Sequence, residues 1–212
     1  MKRYDLQVHT DASPCSRAKP EDIVEAAVDA ELDGLAITNH DTLEGYDAVN
    51  MLAPENLTVI PGVEVTTTQG HLLALDVNEV PPQADPLTVI HAIHEQEGLA
   101  ILSHPFDKLR EYYTDKLDEI AAHIDGVEVL NSRCILPHYN QNARSFAEQH
   151  DLSITGGSDA HFAMEVGRAY TMCDGSVLDA IRRGSTETDG RGGYLSGHIA
   201  TKLNDALTRL NV

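Results

Sequence analysis

Short apolar runs alternate along this chain with longer stretches whose apolar residues recur every three or four positions. The runs at residues 4–9, 34–38, 57–65, 71–75, 99–102, 126–130, 153–155 and 168–172 read as strands, and most intervening segments read as amphipathic helices. Pro20 with Glu21 and Asp22 opens the first helix, since proline suits a first turn and acids there complement the helix dipole. That helix carries Ile23, Ala26, Ala27 and Ala30 on one face and gives way to Gly34. A second helix begins near Asp85, has Leu87, Ile90, Ile93 and His94 on its inner stripe, and ends near Gly98. A third is expected over residues 137–150. Residues 184–197, rich in Gly, Ser and Thr, read as a loop. An amphipathic helix over 198–212, with Ile199, Leu203, Ala206, Leu207 and Leu210, is expected to close the domain.

Strand–helix alternation of this kind predicts a mainly parallel sheet with helices packed outside it. About seven units of roughly thirty residues suit a small or incomplete barrel, given that a full (β/α)8 barrel usually takes about 250 residues. An open doubly wound sheet is the alternative. The first strand lacks the glycine-rich turn that a dinucleotide-binding sheet would need. No linker or repeat divides the 212 residues, so a single domain is expected over 1–212.

Composition narrows the picture. Hydrophobic residues make up 42% and charged residues 23%, the profile of a globular protein able to build its own core. No apolar run approaches the roughly eighteen residues of a membrane span. Met1–Arg3 leads directly into the first strand, so a cytoplasmic location is expected. Cys15, Cys134 and Cys173 are too few for a disulfide framework. Fifteen basic against 34 acidic residues give a net charge of −19, which repels phosphate backbones and disfavours general nucleic-acid binding. Only five of the fifteen basic residues are Lys, and acid excess with scarce Lys suits a halophilic protein, in which concentrated salt screens self-repulsion. The oligomeric state is not legible.

The chemistry lies in where eleven histidines fall. His91, His94, His123, His138, His150 and His198 sit in or beside helical stretches and read as solvated or capping residues. His9, His40, His104 and His161 lie at or just past strand ends instead, as do Glu64 and Asp159, while His71 begins a strand. In a barrel such ends converge on one face, where active sites are built. Imidazole and carboxylate together are ligands of zinc, manganese and iron, and this many donors exceed the needs of one tetrahedral ion. A cluster of two or three divalent ions is therefore expected.

The motifs in order are D-L-Q-V-H-T at Asp5–Thr10, I-T-N-H-D at Ile37–Asp41, P-G-V-E-V at Pro61–Val65, S-H-P at Ser103–Pro105, G-G-S-D-A-H at Gly156–His161 and G-R-A-Y at Gly167–Tyr170. In them the chain resembles the PHP (polymerase and histidinol phosphatase) family over nearly its whole length. The resemblance implies a distorted (β/α)7 TIM-like barrel, up to three metal ions, and phosphoester hydrolysis. Carried over by position, it suggests a first metal site of Gln7, His9, Glu64 and Asp159. A second would share Glu64 and add His71 and His104, and a third would use Cys15, His40 and His161. The family's first motif is normally D-x-H-x-H, so Gln7 stands where a histidine belongs and offers only a neutral amide oxygen. Cys15 stands where Asp is common, and Asn39 where Asp often precedes the His.

The expected activity is hydrolysis of a small phosphomonoester or nucleotide by hydroxide generated on the metal cluster, with Glu64, Asp159 and His161 in catalytic roles. Arg17, Arg133 and Arg168 are the candidates to hold substrate phosphate, with Lys108 and Arg110 behind them. Exonuclease action on short oligonucleotides and a non-catalytic, metal-binding regulatory role are the alternatives.

Overall fold

The computed structural model describes residues 1–193. Its order is β1 (Lys2–Val8), α1 (Pro20–Asp29), β2 (Gly34–Ile37), α2 (Tyr46–Leu52), β3 (Thr58–Thr66), β4 (His71–Leu75), α3 (Pro86–His94), β5 (Leu99–Ser103), α4 (Leu117–Ala121), β6 (Gly126–Asn131), α5 (Pro137–Gln149), β7 (Ser153–Gly157), β8 (Ala169–Cys173), α6 (Val177–Arg182) and β9 (Glu187–Gly190). The sheet order is β7-β6-β5-β4-β3-β2-β1-β8-β9. Just past β7 the chain turns onto β1: His9 N–H donates to Ala160 O at 2.9 Å and Ala160 N–H to Gln7 O at 3.3 Å. Seven strands thus form a nearly closed barrel, while β8 and β9 extend the sheet beyond β1. The barrel expectation holds, and no helix of the described residues is long and apolar enough to cross a membrane.

Local chemistry explains the helices. Pro20 and Pro137 sit in the first turns of α1 and α5, and Asp85 caps α3 by accepting from Thr88 N–H at 3.3 Å. His94, expected on the inner stripe of α3, turns outward and pairs with Asp125 at 2.8 Å. Residues 187–190, expected as loop, form β9 on the edge of β8, a pairing through backbone that composition does not show. The helix expected over 198–212 lies outside the described residues.

The sheet is less parallel than expected. β4 runs against both β3 and β5, pairing Thr66 with His71 and His71 with Ser103, and β8 runs against β1. The short β3–β4 hairpin replaces a helical crossover, and its reversal carries the first residue of β4 to the end of the barrel where β3 and β5 finish. Alternate positions then divide the layers. Val63, Val65, Leu72, Ala74, Ala100 and Leu102 pack outward with Val89, Ile90 and Ile93 of α3 and Phe146 of α5. Ile60, Leu73, Leu75, Leu99 and Ile101 form another cluster facing the opposite way. Along these inner rows the residues become polar towards one end: Ile60 leads to Glu64, Leu73 to His71, and Ile101 to Ser103. That end is the mouth.

Candidate metal centre

Glu64 is the hub of the mouth and is 1% exposed. Its Oε1 lies 3.1 Å from His104 Nε2 and 3.9 Å from His71 Nδ1, and its Oε2 lies 3.1 Å from His9 Nε2 and 3.6 Å from His40 Nδ1. Asp159 continues the cluster, with Oδ1 3.3 Å from His9 Nε2 and 3.5 Å from His161 Nδ1. The rings of His9 and His40 stack at 4.8 Å, and those of His9 and His161 are 4.5 Å apart. Residues separated by up to 152 positions therefore meet in one pocket.

The backbone is held to this purpose. His104 has φ 30° and Asp159 φ 56°, in the left-handed region that costs non-glycine residues roughly 1–3 kcal/mol each. His104 is also followed by Pro105, which restricts it further. Its N–H donates to Glu128 Oε2 at 2.9 Å, anchoring the strained turn. Asp159 is held by Arg110, whose Nη1 donates to Oδ2 and whose Nε donates to Asp107 Oδ2 at 2.9 Å. Gly157 lets β7 lie against β1, since a Cβ there would come within 2.8 Å of Gln7 Cβ.

The charges settle accordingly. Burial opposes a proton on His9, yet hydrogen bonding and attraction from Asp159 and Glu64 outweigh it and lift its pKa to about 9. Burial would raise the Glu64 pKa, but the surrounding imidazoles, His40 foremost, hold it well below the ordinary range. Asp159 is likewise held low against burial, chiefly by Arg110. His161 is pushed well down by burial and by the neighbouring His9 and Arg133. It is therefore neutral, and because Nδ1 lies 2.9 Å from the Asp159 carbonyl, which can only accept, the proton sits on Nδ1 and Nε2 keeps its lone pair.

The donor set fits divalent cations. Three groups, His9–His40–His161, His40–Glu64–His71 and His9–Glu64–Asp159, each offer ligand atoms within 4.8 Å of one another. Buried Nδ1 of His9, His71 and His104 and Nε2 of His9 find no properly directed hydrogen bond, even though Nε2 of His9 closely approaches two carboxylates. Buried polar atoms are rarely left so, and imidazoles and carboxylates converging this closely are what a cation satisfies when it takes the place of the His9 proton.

Seven of the nine expected ligands thus come together. The other two adjoin the cluster through other contacts. Gln7 is buried and turns its amide to Ser103 and Asn131. Cys15 is half-buried and hydrogen-bonds the His40 ring, whereas the trio around His40 and His161 is completed by His9. Of the arginines, Arg17 is exposed beside the mouth, its N–H bonded to His161 O at 2.9 Å. Arg133 is 3% exposed and pairs with Glu165 at 3.2 Å. Arg168 is half-buried where the chain enters β8.

Sequence reasoning missed Asp5, Ser103, Asp107, Glu128 and Asn131, and ranked Arg110 too low. Asp5 accepts from Ser158 and Gly167 N–H groups at 2.8 Å each, tying the 158–167 segment to β1. Burial raises its pKa to about 6. Glu128 is pushed well above the ordinary range by burial and by Asp159. Its signal was visible: an acid amid the apolar run G-V-E-V-L.

Known proteins share sequence and fold with this chain. A family model described as PHP-associated matches residues 137–186. The uncharacterized protein MJ0417 of Methanocaldococcus jannaschii is 34% identical over 174 residues, covering 79% of this chain and 69% of that protein. A 5′-3′ exoribonuclease, Rnm of Salmonella typhimurium, is 29% identical over 81% of this chain and 51% of its own length. Among solved structures, a two-domain protein of Bacteroides vulgatus containing a predicted PHP-like metal-dependent phosphoesterase superposes with a TM-score of 0.72. It is 18% identical, over 90% of this chain and 65% of that one. With the ordered motifs, the histidine-ringed Glu64 and these likenesses pointing the same way, the chain belongs to the PHP family.

Proposed function

We propose that this protein is a metal-dependent hydrolase of phosphoester bonds, acting on small phosphomonoesters or nucleotides with two or three divalent ions, zinc, manganese or iron. The observation that carries this reading is Glu64, a buried carboxylate with four imidazoles within 3.1–3.9 Å, adjoined by Asp159. Bound divalent ions supply Lewis-acid activation of water and neutralise phosphate charge. The chain's own residues prepare for this. Glu64 offers Oε1 towards His71 and His104 and Oε2 towards His9 and His40, which suits a carboxylate shared between ions. Asp159 offers Oδ1 to the cluster while Arg110 fixes Oδ2, so the ligand face cannot rotate away. His161, neutral with Nε2 unprotonated, suits ligation better than proton donation. Arg17, exposed and bonded through its backbone to His161 in an acidic protein, is our candidate to meet an incoming phosphate.

The test is hydrolysis of p-nitrophenyl phosphate and nucleoside monophosphates by EDTA-stripped protein resupplied with Mn2+ or Zn2+, beside Glu64→Gln and Asp159→Asn. The reading requires metal-dependent turnover that both substitutions reduce by at least about 100-fold. Turnover surviving either one rejects it, and metal binding without turnover on any phosphoester supports a regulatory role instead. The exoribonuclease name of the Salmonella relative favours a second substrate class, short oligonucleotides, for which a labelled trinucleotide is the probe. We also read the net charge of −19 as adaptation to concentrated salt, supported by the scarcity of Lys. On that reading the melting temperature rises between 0.1 and 2 M KCl.

A further inference from the structure

Gln7 stands where the family's first motif has a histidine, and both ends of its buried amide are engaged. Nε2 donates to Ser103 Oγ at 3.2 Å, and that hydroxyl donates onward to Glu64 Oε1 at 3.1 Å. Oε1 accepts from Asn131 Nδ2 at 3.1 Å, and the same amide nitrogen reaches Asp159 Oδ2 at 3.2 Å and Glu128 Oε2 at 3.0 Å. The neighbours fix these directions. Asn131 Oδ1 accepts from Arg133 N–H at 2.9 Å and from Arg110 Nη2 at 3.3 Å, so Nδ2 must face Gln7, and only the Gln7 carbonyl can receive it. One amide thus connects, through one hydroxyl and one further amide, the two carboxylates of the cluster.

We propose that Gln7 is a positioning residue and not a ligand: a neutral hydrogen-bonded link that sets Glu64 and Asp159 for ion binding and leaves the His9–Glu64–Asp159 site with three protein donors. The inference rests on the metal-dependent function proposed above. An imidazole at this position has one donor and one acceptor nitrogen. Giving its lone pair to an ion would withdraw the acceptor that Asn131 Nδ2 meets on this side and break the link through Asn131 to Asp159. An amide satisfies both neighbours without entering the coordination sphere. Three protein donors with a position left open is also the arrangement of catalytic rather than structural sites.

The experiment is equilibrium dialysis of the EDTA-stripped full chain against Mn2+ and, separately, Zn2+, with bound metal counted by elemental analysis. It compares wild type with Gln7→Leu, Gln7→His, Ser103→Ala and the Gln7→Leu/Ser103→Ala double variant. Neighbours that orient ligands typically cost 10–100-fold in affinity when removed. Gln7→Leu and Ser103→Ala should therefore each weaken one ion by about that factor, with unchanged stoichiometry at saturation. The double variant should be no weaker than Gln7→Leu alone, because both break one chain of bonds. Gln7→His should gain no ion. The proposal is overturned if Gln7→Leu loses an ion outright while Ser103→Ala binds as wild type does, or if Gln7→His binds an additional ion. Should Gln7→Leu fail to fold, judged by its melting curve without metal, Ser103→Ala and Gln7→His still decide. A wild type that binds neither metal defeats the functional reading itself, an outcome distinct from either result above.

Discussion

Arg110 allows the electrostatics of the cluster to be tested without touching a ligand. Its guanidinium is 19% exposed and sits between Asp159 and Asp107, which are 2% and 0% exposed. Replacing it with Met keeps most of the side-chain volume but strands two buried carboxylates. Removing one partner of a buried pair typically costs about 3–5 kcal/mol, because the remaining charge is left uncompensated. For a chain of this size each kcal/mol lowers the melting temperature by about 2–4 °C, so Arg110→Met should melt about 6–20 °C below wild type in EDTA. Saturating Mn2+ should return part of that loss, since a cation at Oδ1 of Asp159 compensates the same carboxylate. The share belonging to Asp107 should remain. Adding Asp159→Asn to Arg110→Met should likewise relieve the metal-free protein, a non-additivity expected of direct partners. Melting curves with EDTA and with Mn2+ decide the matter. A loss below about 1 kcal/mol in EDTA, or an equal loss in both conditions, would show that Arg110 does not balance Asp159.

Other consequences follow from the same geometry. In metal-free protein His9 keeps its proton to about pH 9 against an ordinary value of 6.5. The stability this contributes is complete below about pH 6.5 and is lost as pH rises through 9, worth about 3 kcal/mol in all. Urea unfolding in EDTA from pH 6 to 10 should show the decline, and a flat profile refutes the assignment. Gly157→Ala forces a Cβ to within 2.8 Å of Gln7 Cβ and 2.9 Å of its backbone nitrogen. It should cost about 1–3 kcal/mol and weaken metal binding as β7 and Asp159 shift; unchanged affinity by dialysis would contradict that coupling. Arg133→Met should destabilise the fold by about 3–5 kcal/mol, since it strands the buried Glu165 whose Oε2 accepts from His161 N–H at 2.7 Å. A variant as stable as wild type with a raised KM alone would instead give Arg133 its expected role on the substrate side.

Much of this was legible because periodicity survives in short strands. Eight of nine strands in the described residues lie where apolar runs predicted them, within one or two residues at most ends. What escaped was pairing direction. Nothing in H-L-L-A-L says that β4 runs antiparallel, because a buried strand reads the same either way. The cue was the gap between Thr66 and His71, too short for a helical crossover. β9 escaped for another reason, since E-T-D-G has little strand propensity and is held by its bonds to β8.

The site divides along a similar line. Direct donors such as His9, Glu64 and His104 announce themselves, because imidazole and carboxylate at strand ends have few bland explanations in combination. Residues that orient them do not, because Ser103 and Asn131 look like ordinary polar residues where a strand gives way to loop. Their roles arise from contacts with β1 and β7, up to 124 positions away in the chain. Gln7 shows the consequence. By position it reads as a weakened ligand, whereas its neighbours give it two hydrogen-bond partners and no need of an ion. A polar residue at a ligand position must therefore be judged by what already satisfies it. For Gln7 that judgement turns on Ser103 Oγ, a single hydroxyl whose removal leaves every candidate ligand in place.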